Sequence, residues 1–236
     1  MENLTGQARA TAVHDIFTRI APRYDLMNRI MTGGFDRHWR RFVIQQAAIP
    51  QGGKLLDIAT GTGDLAFEAL AQVDGVTVVG ADFVPMMMIM GQKRPGGQQV
   101  SWSAADALNL PFATHSFDAV THGFLLRNVI DIPRALSEQL RVIKPGGHMV
   151  CLDTTPPPKN MIRPFLLFYL TQIIPLIGTL LTGQRDAYTY LPKSTVGFKT
   201  PDVLAQMMRE VGFTNVQYKR FMFNTVAIHW GSTPSE

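Results

Sequence analysis

The chain has 236 residues, of which 46% are hydrophobic and only 17% charged, with a formal net charge of +4. Such a composition excludes disorder, which needs low hydrophobicity and high net charge; Gly 20 and Pro 15, spread without a period, exclude collagen-like and low-complexity architectures. The length suits one α/β domain over 1–236, with or without an added cap, and the single cysteine, Cys151, permits no intrachain disulfide or multi-thiolate metal site and points to a reducing, cytoplasmic compartment.

Met1–Ala10 is polar and lacks the apolar core of a signal segment. Apolar residues at helical spacing then run from Val13 to Ile20 until Pro22 breaks the pattern, and a second apolar stretch, Leu26–Met31, stops at Gly33-Gly34. Residues 1–50 are therefore expected to form a helical segment ahead of any sheet. From Lys54 the period changes. Lys54–Ala59 reads as a buried strand, Thr60–Gly63 as its turn and Asp64–Ala71 as a helix. Val76–Asp82 is a second strand, Pro85–Gln92 a second helix, Val100–Ala104 a third strand and Phe117–Thr121 a fourth. A helix at Pro133–Ile143 leads through the turn Pro145-Gly146-Gly147 to the strand His148–Asp153. Thr200 is expected to cap a helix that has Pro201 at its first position and ends at Gly212. Val216–Phe221 and Asn224–Trp230 follow as consecutive strands. Strands alternating with helices imply parallel βαβ units in a doubly wound, mostly parallel seven-stranded α/β sheet, closed by an antiparallel hairpin.

Charge is unevenly placed: residues 1–50 carry +3, 51–118 carry −4, 119–162 carry +2 and 163–236 carry +3. An acidic segment inside basic flanks is either scatter over solvated faces or a block that receives a cation while the flanks meet something anionic. No lysine/arginine run interleaved with aromatics supports nucleic-acid binding. The six histidines (14, 38, 115, 122, 148 and 229) lack the spacing of metal ligands, so no metal is expected. Cys151 reads as a small buried residue of an apolar strand.

Gly61-Thr62-Gly63-Asp64-Leu65-Ala66 lies between a strand and a helix, and Asp82 follows 19 residues after Gly63. Alone this is a dinucleotide fingerprint. However, Asp57 in the strand and Asp64 at the helix start place two carboxylates where a pyrophosphate would rest, and like charges repel. S-adenosylmethionine (SAM) instead carries a sulfonium, an ammonium and a single carboxylate, which suit acidic side chains beside helix N-terminal amides. Asp82 is the expected ribose acceptor, and Ala105-Asp106-Ala107 sets a carboxylate near the adenine. The structural alternatives are a bare tight turn for Gly61 and Gly63, a helix cap for Asp82 and a turn residue for Asp106. Met86, Met87, Met88 and Met90 read as adaptable core filler, one or two padding the adenine.

Five blocks carry a resemblance: Phe17–Asn28 (FTRIAPRYDLMN), Leu56–Asp64 (LDIATGTGD), Leu126–Val129 (LRNV), Leu140–Gly147 (LRVIKPGG) and Tyr190–Ser194 (YLPKS). Over about residues 13 to 231 the sequence resembles the ubiquinone/menaquinone biosynthesis C-methyltransferases, which methylate a prenylated quinol ring with SAM. The glycine turn is common to many methyltransferases; the YDLMN and LRNV blocks together are much more specific. The resemblance implies the Rossmann-like class I methyltransferase fold, with residues 1–50 on the substrate side. It also implies that Thr62, Asp82, Asp106 and Ala107 contact SAM, beside the Asp57, Gly61 and Gly63 already singled out. Gly123 stands where many relatives have serine, so one hydrogen bond is in question there. Thr60 replaces a more usual glycine, and Phe35-Asp36-Arg37 departs from the family's pattern near the expected substrate entrance.

Carbon methylation needs a nucleophilic ring carbon, so the acceptor must be the quinol rather than the electrophilic quinone. Loss of a phenolic proton, with a pKa of about 10 by analogy with tyrosine, raises electron density on the adjacent carbon. The enzyme must align donor and carbon and assist that proton loss. Candidates are Tyr24, His122, Arg127 and Asn128. A guanidinium keeps its proton at any ordinary pH, so Arg127 is expected to stabilise the quinolate or orient a water, with Asn128 and Tyr24 completing the set as the resemblance also suggests. Their structural alternatives are an ion-pair partner for Arg127 and a core residue for Tyr24. His122 is at least as well read as a buried structural histidine.

Between Arg163 and Arg185 lie 21 residues without a charge, close to the ~20 needed to span a bilayer. Gln172, Pro175 and Gly178 are expected to interrupt this stretch. It joins two parts of one sheet, so it reads as an apolar cap, residues 160–195, over the SAM cleft, or as ordinary helix packing. Arg37, Arg40 and Arg41 beside Trp39 suggest peripheral contact with anionic lipid at the inner face of the cell membrane. The partners expected are thus a prenylated quinol and a membrane surface, without nucleic acid, and a homo-oligomer is left open. Competing readings are a methyltransferase for another apolar molecule, a nicotinamide oxidoreductase, and a noncatalytic SAM- or lipid-binding protein.

Overall fold

The computed structural model describes residues 6–235; of the polar stretch Met1–Ala10, residues 1–5 lie outside the described residues. Seven strands form one sheet in the order β3-β2-β1-β4-β5-β7-β6. These are β1 (Lys54–Ile58), β2 (Thr77–Asp82), β3 (Val100–Ala104), β4 (Phe117–Gly123), β5 (Ile143–Thr154), β6 (Thr214–Phe221) and β7 (Val226–Ser232). The first five pair in parallel; β7 runs antiparallel to both β5 and β6. The doubly wound sheet with its closing hairpin is therefore as expected.

Side-chain alternation sends successive strand residues to opposite faces. Leu56, Ile58, Val120, Met149 and Cys151 pack with α6 (Ile132–Val142) and α10 (Pro201–Val211). Leu55, Val78, Ala119, Val150 and Leu152 pack on the other face with α3 (Asp36–Ala47) and α4 (Asp64–Gln72). Both faces of the parallel strands are covered, as such sheets require.

Several elements depart from the sequence expectations. Helix α3 lies within the helical segment expected over residues 1–50, but the apolar pattern does not delimit it as an element, although Trp39, Val43, Ile44 and Ala47 are buried at helical spacing. Strand β5 starts at Ile143, ahead of Pro145-Gly146-Gly147, with Gly146 at a φ of 71°. Thr200 sits at the N-cap of α10 with extended backbone, but its side chain makes no capping hydrogen bond. Strand β7 begins at Val226 rather than Asn224, because Met222, Phe223 and Asn224 all adopt positive φ and form the hairpin turn.

The uncharged stretch is not interrupted. Arg163–Thr182 is one helical run of 20 residues with a mean hydropathy of 1.8, long and apolar enough by composition to cross a membrane, though only 11% of its apolar window is buried. It comprises α7 (Arg163–Phe168), a π-turn (Tyr169–Ile173) and α8 (Ile174–Thr182). Pro175 has no N–H to bond back along the helix, and the widened turn just before it absorbs the mismatch. Position 178 takes glycine because the ring of Tyr188 occupies the space where a Cβ would stand. Tyr188 belongs to α9 (Arg185–Val196), which packs on α8 and on α1 (Gly6–Ile20). A 3₁₀ turn at Ala21–Arg23 leads from α1 into α2 (Tyr24–Thr32).

Candidate active site

The carboxyl ends of β1, β2 and β4 converge where the strand order reverses, the place at which open α/β sheets bind ligands. After β1 the chain turns sharply, with Ala59, Gly61 and Gly63 all at positive φ. Gly63 is required twice over: its φ is 90°, and a Cβ would lie 2.8 Å from the Trp102 ring. Asp82, at the end of β2, holds this turn from the side. Its Oδ2 accepts from the Gly61 N–H at 2.7 Å and its Oδ1 from the Val84 N–H at 2.8 Å. Burial raises its pKa, against the pull of those two amides.

Asp57 and Asp64 do not crowd an open site as expected. Asp57 is fully buried and accepts from the hydroxyls of Thr60 at 2.7 Å and Thr121 at 3.0 Å; burial pushes its pKa up to about 7. Thr60 thus braces the turn from below. Asp64 is claimed by two guanidiniums, Arg40 Nη2 at 2.7 Å and Arg94 Nη1 at 2.8 Å. The Thr62 hydroxyl donates to Asp25 of α2 at 2.6 Å, so α2 reaches across to the turn. Arg40 also pairs with Asp36 at 2.7 Å, and Trp39 is only 2% exposed. Neither is therefore free for lipid, and of that expected patch Arg37 and Arg41 alone are exposed.

Asp106 is exposed and accepts from the Leu108 N–H at 2.9 Å in an Asx turn after β3, while Ala107 is buried. Gly123 is half-buried, and a Cβ there would make only an ordinary 3.6 Å contact with Leu65. A side chain therefore has room at this position.

Beside the turn lies an apolar cavity of about 340 Å³. Phe17, Met27, Leu166, Leu170 and Ile174 are among its walls, Tyr188 and Pro192 of α9 close one side, and Met222 and Phe223 of the strained hairpin turn contribute another. Tyr24 and Arg127 also line it. Tyr24 also reaches the glycine turn: its ring lies 3.9 Å from where a Gly61 Cβ would be. Burial raises its pKa, so at neutral pH it is a hydroxyl donor rather than a base.

Arg127 is 8% exposed and bonds through Nη1 to Asp153 Oδ1 at 2.5 Å, with its Cζ 4.7 Å from the Phe124 ring centroid. The same carboxylate accepts from the Arg127 N–H at 3.3 Å. The Nε of Arg127 has no hydrogen-bond partner among the described residues. Asn128 does not line the cavity; its amide donates to Phe124 O at 2.8 Å and its Oδ1 accepts from the Tyr190 hydroxyl at 2.9 Å. It braces the loop rather than facing a ligand. His122 is fully buried and its pKa is pushed down to about 3 by burial, so it stays neutral within the core. Cys151 is likewise buried, and burial raises its thiol pKa.

Sequence reasoning missed Asp153, Tyr190, Arg94 and Trp102. Asp153 had a signal, an acidic residue at the carboxyl end of a parallel strand; Arg94 and Trp102 had none. Among the described residues no cluster of three or more His, Cys, Asp or Glu side chains is arranged for a metal.

These residues fit SAM. The left-handed turn brings backbone close at the N-terminus of α4, Asp82 keeps unused lone pairs for ribose hydroxyls, and Gly123 leaves space on the β4 side.

Comparison with known proteins agrees. The family model described as the ubiE/COQ5 methyltransferase family matches residues 5–233. The chain is 48% identical to the ubiquinone/menaquinone biosynthesis C-methyltransferase UbiE of Desulfotalea psychrophila over 95% of this chain and 91% of that one. It is 42% identical to the demethylmenaquinone methyltransferase of Thermus thermophilus over 93% of this chain and all (100%) of that one. Among solved structures, a SAM-dependent methyltransferase of Thermotoga maritima superposes with a TM-score of 0.65 at 17% identity, covering 92% of this chain and 98% of that one. The phosphoethanolamine N-methyltransferase 2 of Haemonchus contortus, solved with SAM, does so with a TM-score of 0.62 at 16% identity, covering 84% and 53%.

Proposed function

Because the chain belongs to the ubiE/COQ5 methyltransferase family, SAM-dependent C-methyltransferases, we propose that it methylates a ring carbon of a prenylated quinol, converting demethylmenaquinol to menaquinol. The observation that carries this reading is the shape of the cavity. It is an apolar compartment suited to a prenyl tail, and it carries the polar pair Tyr24 and Arg127, of which Tyr24 abuts the glycine turn.

SAM supplies the methyl group on a positively charged sulfur. Gly61, Thr62, Gly63, Asp82, Asp106, Ala107 and Gly123 would hold it, with Asp57 bracing the turn from within the sheet. The protein's own work is on the acceptor. The Arg127 guanidinium, fixed by Asp153, stabilises the quinolate oxygen and favours release of its proton to water. Tyr24 donates a hydrogen bond that orients the ring, and Asn128, held by Tyr190, keeps the Leu126–Val129 loop in place. In this reading residues 1–236 act as one methyltransferase domain, 1–50 form the substrate-side wall and 160–195 the cap. The prenylated acceptor lives in bilayers, so the enzyme works peripherally at the cytoplasmic face of the membrane.

Incubation with labelled SAM and a panel of reduced quinones tests the acceptor. Label on the ring of demethylnaphthoquinols is expected. Preferential labelling of other apolar acceptors would replace the quinol with a different substrate.

A further inference from the structure

The membrane setting just proposed leaves open which surface meets lipid. Resting on that reading, we propose that the outer face of Arg163–Thr182 inserts lengthwise into an anionic lipid monolayer, so that the prenyl tail passes from the acyl layer into the cavity along this helix.

The helix has two faces. Phe165, Phe168, Gln172, Leu176 and Leu180 recur every three or four residues, and all are exposed, Phe165 and Leu180 at 76% each. Leu166, Leu170 and Ile174, at intervals of four, line the cavity on the other side. One face is thus wet and apolar while its opposite is the cavity wall. The neighbouring surface continues the pattern: Met161 is 93% exposed, Phe223 on the cavity rim 72%, and Leu26 of α2 53%. Exposed apolar surface of this extent marks an interaction site.

Three observations select a monolayer. First, the cavity wall and the exposed stripe are the same helix, so a lipid-soluble ligand entering beside it need not cross water. Second, between Asp153 and Asp186 the only charges are Lys159, Arg163 and Arg185, all basic. The exposed Arg23 adds another cation at the far end, its guanidinium bonding the Leu181 carbonyl. Cations around an apolar helix match anionic headgroups, whereas a second copy of this chain docked on the same face would bring no opposite charge from this segment. Third, the helix cannot span. Gly178 is locked against Tyr188 of α9, α9 packs on α1, and Tyr169 bonds the Met31 carbonyl of α2 at 3.3 Å, so one side of the helix stays on the protein.

The test is flotation of the full chain with phosphatidylcholine vesicles, with and without phosphatidylglycerol, alongside the triple variant Phe165→Ser, Leu176→Ser and Leu180→Ser. None of the three side chains lines the cavity. The parent should float with anionic vesicles, less so in high salt or without phosphatidylglycerol. The triple variant should partition at least roughly tenfold more weakly yet methylate a short-tailed, water-soluble quinol at the parental rate, which also shows that it folds. Lys159→Glu, which leaves the apolar face intact, should weaken only the salt-sensitive part.

Equal flotation of parent and triple variant would overturn the proposal, as would a parent that binds neither vesicle. A parental dimer that the triple variant dissolves, without vesicle binding, would assign the face to a second copy instead. Flotation that behaves as expected in a protein that methylates no quinol would retain the lipid surface and remove the acceptor.

Discussion

Arg127 stands where an apolar cavity meets a buried carboxylate, and its two neighbours define what it can do. Asp153 fixes its guanidinium, while the Phe124 ring shields one face; in the proposed mechanism the cation so held stabilises developing negative charge. Arg127→Ala is expected to lower turnover at saturating quinol by roughly a hundredfold or more while SAM binding by calorimetry persists; unchanged turnover would remove Arg127 from the mechanism. Asp57 makes a different prediction. Its carboxyl is raised from 3.8 to about 7, so the folded chain keeps a proton that the unfolded chain releases. The stability this contributes is complete below the unfolded value and is lost as pH rises through the folded one. Asp57→Asn should therefore flatten the fall in melting temperature between about pH 4 and about pH 7, and an unaltered slope would assign that fall to other groups. At this scale the sequence was legible where a residue type implies a chemistry. Tyr24 and Arg127 line the cavity, but Asn128 does not, since its amide is consumed by Phe124 and Tyr190. Asp153 escaped notice because a lone aspartate after a strand reads equally as a cap.

Among the elements, the cap shows most clearly where local rules fail. Pro175 and Gly178 are helix breakers by propensity, yet the helix passes through both, because a π-turn accommodates one and the Tyr188 ring demands the other. Tertiary packing outweighed propensity, which no window of sequence reveals. Gly178→Ala is expected to push α8 off α9, costing about 1–3 kcal/mol by overpacking. The melting temperature should fall and KM for a long-tailed quinol rise, with SAM affinity unchanged; an unchanged KM would mean that this crossing does not shape the cavity. Helix α3 failed differently. Its buried face is regular, but its many arginines mask the period, since Arg40 is spent on Asp36 and Asp64 rather than on solvent. The sheet was easily read because strands buried on both faces leave unbroken apolar runs.

Over the whole molecule, the low charge fraction and the modest +4 acquire locations. The acidic block 51–118 contributes Asp57, Asp64 and Asp82 to the glycine turn and its supports, while the basic flanks supply Arg40 and Arg127. Part of the charge deficit is the uncharged helix, half of which forms the cavity wall and half of which faces outward. The molecule thus sets an apolar cavity beside the glycine turn, with Tyr24 between them. Carbon methylation of a reduced ring is the proposed work of this junction. It is tested most directly by supplying methyl-labelled SAM with demethylmenaquinone, either chemically reduced or left oxidised, and locating the label by mass spectrometry. One labelled methyl is expected on a ring carbon of the quinol and none from the quinone. Equal labelling of the two, or label on oxygen, would contradict it.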